Sequence, residues 1–97
     1  MSYDYNALKQ KVLDAAKRCA VGGPAYAQQR PVFDEVAVAL GGGTYTRLDL
    51  NIQQAILTCW HDLFREGELS WGYDLDNPDS PFFHIPERTG LRQSARR

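Results

Sequence analysis

The chain has 97 residues, 43% of them hydrophobic and 24% charged, with a net charge of −1. That is one domain's worth of sequence, long enough to bury about 60–70% of the surface its unfolded chain exposes, and it leaves no room for a second domain or a low-complexity tract. A near-neutral balance excludes a uniformly basic nucleic-acid coat, although Arg88, Arg92, Arg96 and Arg97 close the chain with no acid after Glu87, so the body before them is acidic.

Asp4 to Val21 places Leu8, Val12, Ala15 and Cys19 at helical spacing, with Lys9, Lys11, Asp14, Lys17 and Arg18 mostly off that stripe. This predicts an amphipathic first helix, capped by Asp4 or Asn6 and stopped by Gly22, Gly23 and Pro24. Residues 25–29 are compatible with a helical turn. Pro31 fits the first position of a second helix, where its missing N–H costs nothing, and Asp34 and Glu35 suit the positive end of the helix dipole. Phe33, Val36, Ala37 and Leu40 form the apolar stripe, and Gly41, Gly42 and Gly43 end this helix after about three turns.

Thr46 to Asp49 has a capping-box-like spacing, while Asp49 or Asn51 serves equally well as the cap of a third helix. Ile52, Ile56, Cys59 and Leu63 repeat the offsets of the first helix. Ala55, Leu57, Trp60 and Phe64 widen the apolar face, so this helix must pack on more than one side. Gly67 stops it. Leu69, Trp71 and Tyr73 then alternate with Ser70, Gly72 and Asp74, the period-two pattern of a half-buried strand. Asp74 to Pro81 is a loop by composition, and Phe82 to Ile85 is a second strand ended by Pro86. Adjacent Phe82 and Phe83 must face opposite sides, so one of them is exposed unless a partner covers it. The expected core is Leu8, Val12, Phe33, Val36, Leu40, Ile52, Ile56, Trp60, Leu63, Leu69 and Trp71.

No apolar run approaches the roughly 20 residues of a membrane span, and MSYDYNALKQ lacks the basic start and apolar core of a signal peptide. The expectation is a cytoplasmic protein without a membrane partner. Cys19 and Cys59 fall on apolar stripes and read as core thiols; their spacing suits neither a disulfide framework nor a zinc site, and Cys59 and His61 cannot converge on one ion. The acidic row Asp74, Asp76 and Asp79 lacks the central glycine and terminal glutamate of a calcium loop. His61 and His84 have no Ser or Cys partner in a nucleophile motif, and Gly41 to Gly43 lacks the Lys-Thr or Lys-Ser of a phosphate loop. The sequence therefore points to no catalysis, no metal and no cofactor.

The order helix, helix, helix, hairpin, with Gly67-Glu68-Leu69 closing the third helix and PFFHIPERTG after the loop, resembles the winged helix-turn-helix superfamily over about residues 31–90. The resemblance implies a mainly α fold with a small β-hairpin: a three-helix winged helix-turn-helix in residues 1–90, with a basic tail in 91–97. Pro86 stands where such regulators often carry a threonine. The resemblance further implies sequence-specific binding of double-stranded DNA by a dimeric regulator, the third helix entering the major groove.

On that helix Asn51, Gln54 and Thr58 form a polar row with Arg65 further along, and Arg47 sits just ahead. Amide side chains suit adenine, Thr suits a thymine methyl, and Arg47 suits a phosphate or a guanine. Arg92 and Arg96 would meet phosphates. The same row also reads as the solvated face that any amphipathic helix must have. The wing points elsewhere: Asp74, Asp76 and Asp79 put three carboxylates on the loop that should approach phosphates, and like charges repel there. The alternative is a protein-interaction module, using Asp74, Asp76, Asp79 and Phe82 to hold a partner in a larger complex.

Overall fold

In a computed structural model that describes residues 4–87, three helices, α1 (Tyr5–Ala20), α2 (Gln29–Ala39) and α3 (Leu50–Arg65), precede two strands, β1 (Ser70–Trp71) and β2 (Phe83–His84). The chain is mainly helical with a small antiparallel hairpin. The basic tail, with Arg92 and Arg96, lies outside the described residues. No helix among the described residues is long and apolar enough to cross a membrane.

The Asp4 side chain caps α1 by accepting the Asn6 N–H at 3.2 Å. The α1 stripe Leu8, Val12, Ala15, Ala16 and Cys19 is buried, and α1 packs across both α2 and α3. Arg18 pairs with Glu35 of α2 at 2.5 Å and Lys9 with Glu66 at the end of α3 at 2.7 Å. These exposed pairs contribute little stability beside the buried stripe between them.

The second helix begins earlier than its proline suggests. α2 starts at Gln29, so Pro31 occupies the third position rather than the first. Its missing N–H still falls in the first turn, where no intrahelical bond is lost. The carbonyl it leaves open, Ala27 O, accepts the Phe83 N–H at 3.1 Å, Gln29 N–H donates to Pro81 O at 2.9 Å, and Gln28 forms an antiparallel bridge with Phe82. The chain just ahead of α2 is thus tied to the second strand. With the start moved back, Asp34 and Glu35 lie beyond the first turn and serve as side-chain partners instead: Asp34 accepts the Tyr45 N–H at 2.9 Å. Val32 joins Phe33, Val36 and Ala37 in the core, while Leu40 is only half-buried.

A short 3-10 turn, Tyr45–Arg47, leads into α3, whose cap residue Asp49 makes no side-chain capping bond. Ile52, Ile56, Cys59, Trp60 and Leu63 of α3 are buried. The helix ends in a reciprocal backbone lock: Gly67 N–H donates to Phe64 O at 3.1 Å and Glu68 N–H to Leu63 O at 2.9 Å. Gly67 carries the positive φ of 80° that this ending requires.

That lock corrects the expected strand. Leu69 N–H also donates to Leu63 O, so Leu69 belongs to the helix ending, and the period-two count begins one residue later. β1 covers two residues, paired Ser70 with His84 and Trp71 with Phe83. Leu69 is buried but Trp71 is 37% exposed, and Phe83, not Trp71, fills the core position. Phe82 is half-buried, so neither phenylalanine stands fully in solvent. Gly72 ends the strand with φ 97°; a Cβ there would meet Pro78 O at 2.6 Å, which no side chain tolerates.

Both cysteines are free and buried. Burial pushes each thiol from 9.0 up to about 11, with the Glu35 carboxylate adding to the effect at Cys19 and Asp62 at Cys59. Because the unfolded chain releases these protons first, the thiols contribute full stability below about pH 9 and lose it as pH rises towards 11. Iodoacetamide at pH 8 should leave the native chain unmodified and label both thiols in denaturant. The melting temperature should fall more steeply between pH 8.5 and 10.5 than that of a Cys19→Ala, Cys59→Ala variant. An equal fall in both proteins would exclude the thiols as its source.

A candidate recognition face on the third helix

At about 100° per residue, Asn51, Gln54, Thr58, His61 and Arg65 share one face of α3, roughly opposite the buried Ile52, Ile56, Cys59, Trp60 and Leu63. All five are exposed. His61, which the sequence reading weighs only as a metal ligand or catalytic group, lies three after Thr58 and four before Arg65 and so belongs to the same row. Leu50, 67% exposed, stands at the N-terminal end beside it.

The row is not uniform in what it can offer. Thr58 Oγ1 donates to Gln54 O at 2.9 Å, so its hydroxyl is spent on the helix and its methyl remains. Asn51, Gln54 and His61 keep their side-chain polar groups unbonded among the described residues, and so does the exposed Arg47 ahead of the helix. Arg65 differs. Its guanidinium is engaged by Asp62, whose other oxygen accepts the Tyr5 hydroxyl from α1. The Tyr5 bond, with Arg65 close by, holds the Asp62 carboxyl below its ordinary value, and the Tyr5 hydroxyl is raised in return. Of the seven positions that the sequence selects, Asn51, Gln54 and Thr58 share this exposed row with free polar groups or a methyl, Arg65 joins it in a paired state, Arg47 is exposed in the turn ahead of the helix, and Arg92 and Arg96 lie outside the described residues.

The hairpin loop carries the opposite charge. Asp74 Oδ1 accepts the N–H of Asp76 at 3.1 Å, the N–H of Asn77 at 2.8 Å and Asn77 Nδ2 at 3.0 Å. Tyr73 N–H closes the turn onto Asn77 O at 2.7 Å. Asp74 therefore organises the loop, whereas the Asp76 and Asp79 side chains are exposed and make no hydrogen bond among the described residues. Between Asp74 and Asp76 the loop holds Leu75, 97% exposed. At the base of the hairpin loop, His84 donates Nδ1–H to Gly72 O at 2.7 Å, and Gly72 N–H donates to Phe82 O at the same distance. His84 is thus a structural donor.

Through Glu87 the chain carries all twelve of its acids but only seven of its eleven Lys and Arg residues. Among the described residues no group of three His, Cys, Asp or Glu side chains is placed to hold a metal ion. Compared with family models, curated proteins and solved structures, the chain matches none of them.

The two kinds of loop aspartate should separate on substitution. Asp74→Ala removes the acceptor of three hydrogen bonds and should cost about 1–2 kcal/mol in chemical denaturation, with faster amide exchange at Asn77. Asp76→Ala should stay within about 0.5 kcal/mol of the parent. Equal costs would mean that Asp74 does not hold the turn.

Proposed function

We propose that this chain is a winged helix-turn-helix protein that binds double-stranded DNA in a sequence-specific manner as a dimer, with α3 in the major groove. The order of elements supports the fold assignment, together with the bridge that ties the segment before α2 to the second strand of the hairpin. The observation that carries the functional reading is the exposed row of α3. It lies opposite the core, contains no carboxylate, and is preceded by Arg47, a cation unpaired among the described residues.

In this reading Asn51 and Gln54 meet base edges, with amide pairs suited to adenine, and the Thr58 methyl meets a thymine methyl. Arg47 contacts the backbone at the entry to the helix. Arg65, neutralised in part by Asp62, contributes less to phosphate attraction than its charge suggests. Arg92 and Arg96 supply further cations from the tail.

Selection from a random duplex library at low salt, followed by titration at two salt concentrations, tests the proposal. Gln54→Ala should cost about 1–3 kcal/mol and relax the preference at one base pair. Arg47→Ala should weaken binding to all sequences alike and reduce the salt slope by about 1. Failure to retain any duplex at low salt would reject DNA binding.

A second reading, a protein-interaction module, is favoured by the wing: exposed Asp76 and Asp79 flank an exposed Leu75, and the described body is acidic. Asp76→Lys with Asp79→Lys leaves the Asp74 turn intact and distinguishes the two. DNA binding should be retained or improved by the change, whereas a complex with a basic protein surface should weaken.

A further inference from the structure

A groove of about 610 Å³ opens between the start of α2, the 3-10 turn, α3 and the foot of the wing. Its size falls within the roughly 300–1,000 Å³ of sites that take small organic ligands. The apolar part is made chiefly by the Tyr45 ring, Leu57 and Pro81; Phe33, whose ring centroid lies 4.8 Å from that of Tyr45, is 2% exposed and offers almost no surface.

The hydrogen-bonding groups around it divide sharply. The Tyr45 hydroxyl donates to Gln53 O at 3.1 Å and Gln53 Nε2 to Leu48 O at 2.9 Å, so these donors are spent within the protein and Tyr45 offers its ring. By contrast, the Gln29 amide and the Ser80 hydroxyl, both on the rim, make no side-chain hydrogen bond among the described residues. Arg30, also on the rim, lies 3.6 Å from Asp34 Oδ2, beyond hydrogen-bond range, and its side chain is 62% exposed. Asp34 Oδ1 is already taken by the Tyr45 N–H. Asp34 therefore steadies the guanidinium by charge without consuming its donors.

We propose that this groove binds a small aryl carboxylate, the flat ring lying on Tyr45, Leu57 and Pro81 and the carboxylate held by Arg30 with help from Gln29 and Ser80. A planar guanidinium matches a carboxylate with two parallel hydrogen bonds, and it is this charged group that selects the acid; the Gln29 Nε2 and Ser80 hydroxyl donors add to its hold. The site does not rest on the DNA reading. It borders the α3 row, since Leu57 directly precedes Thr58, but uses a different side of the helix.

Titration of the full chain with 1-naphthoate, followed by amide chemical shifts, tests the site, with the neutral 1-naphthamide as control. Saturable shifts centred on Arg30, Tyr45 and Leu57 are expected. The amide should bind about tenfold more weakly than the acid, and Arg30→Gln should lose a similar factor for the acid alone, with an unchanged circular dichroism spectrum. No saturable binding of naphthoate, shifts centred elsewhere, equal affinity for acid and amide, or an unaffected Arg30→Gln variant would each overturn the proposal.

Discussion

The structure turns on one indole. Trp60 of α3 is fully buried and meets Phe33, Phe64, Trp71 and Phe83 with their edges or faces, at centroid distances of 5.3, 5.0, 6.0 and 5.3 Å. These partners come from α2, from α3 itself and from both strands. Each tilted or edge-on aromatic pair adds about 0.5–1.5 kcal/mol beyond the area it buries. The indole N–H has no hydrogen-bond partner among the described residues, so packing alone sets its position. Because one ring meets aromatic partners from α2 and from both strands, the rotation of α3 about its own axis is set by the hub. The exposed row is set with it.

Around the hub, backbone hydrogen bonds decide where elements begin and end. Pro31 cannot donate, so the Ala27 carbonyl is available to Phe83, and this places the buried Phe83 ring beside Trp60. The three helices were legible in the sequence because their apolar residues recur every three or four positions and glycines follow them. The strand boundaries were not. Leu69 looks like the first residue of an alternating strand, but its N–H is committed to Leu63, a fact of helix termination that alternation does not encode. Likewise the early start of α2 depends on Gln28 pairing with Phe82, a partner far along the chain with no local signature. Trp71, expected in the core, instead stacks on Phe64 at 4.2 Å with its outer side open.

The candidate face was legible to a similar degree. Helical spacing alone gathers Asn51, Gln54, Thr58 and Arg65, and the same rule extends to His61. What the spacing does not carry is the state of each group. Asp62 is three residues from Arg65 and visible as a partner, but its second bond, to Tyr5, joins positions distant in sequence and makes the pair part of the α1–α3 contact. The hairpin loop offers a parallel case: three aspartates look alike as letters, yet one builds the turn and two stand in solvent.

Gly72 gives the hairpin loop an unusual independence. The strand leaves the sheet there because its backbone passes so close to Pro78 that no side chain fits between them, and Asp74 closes the turn beyond. Shape is therefore carried by two positions, and Leu75, Asp76 and Asp79 are passengers on it. A tip built in this way can change the sign of its charge through a few exposed substitutions while the hairpin beneath keeps its path. Its acidity is then a setting that sequence drift can move without disturbing the helices beneath.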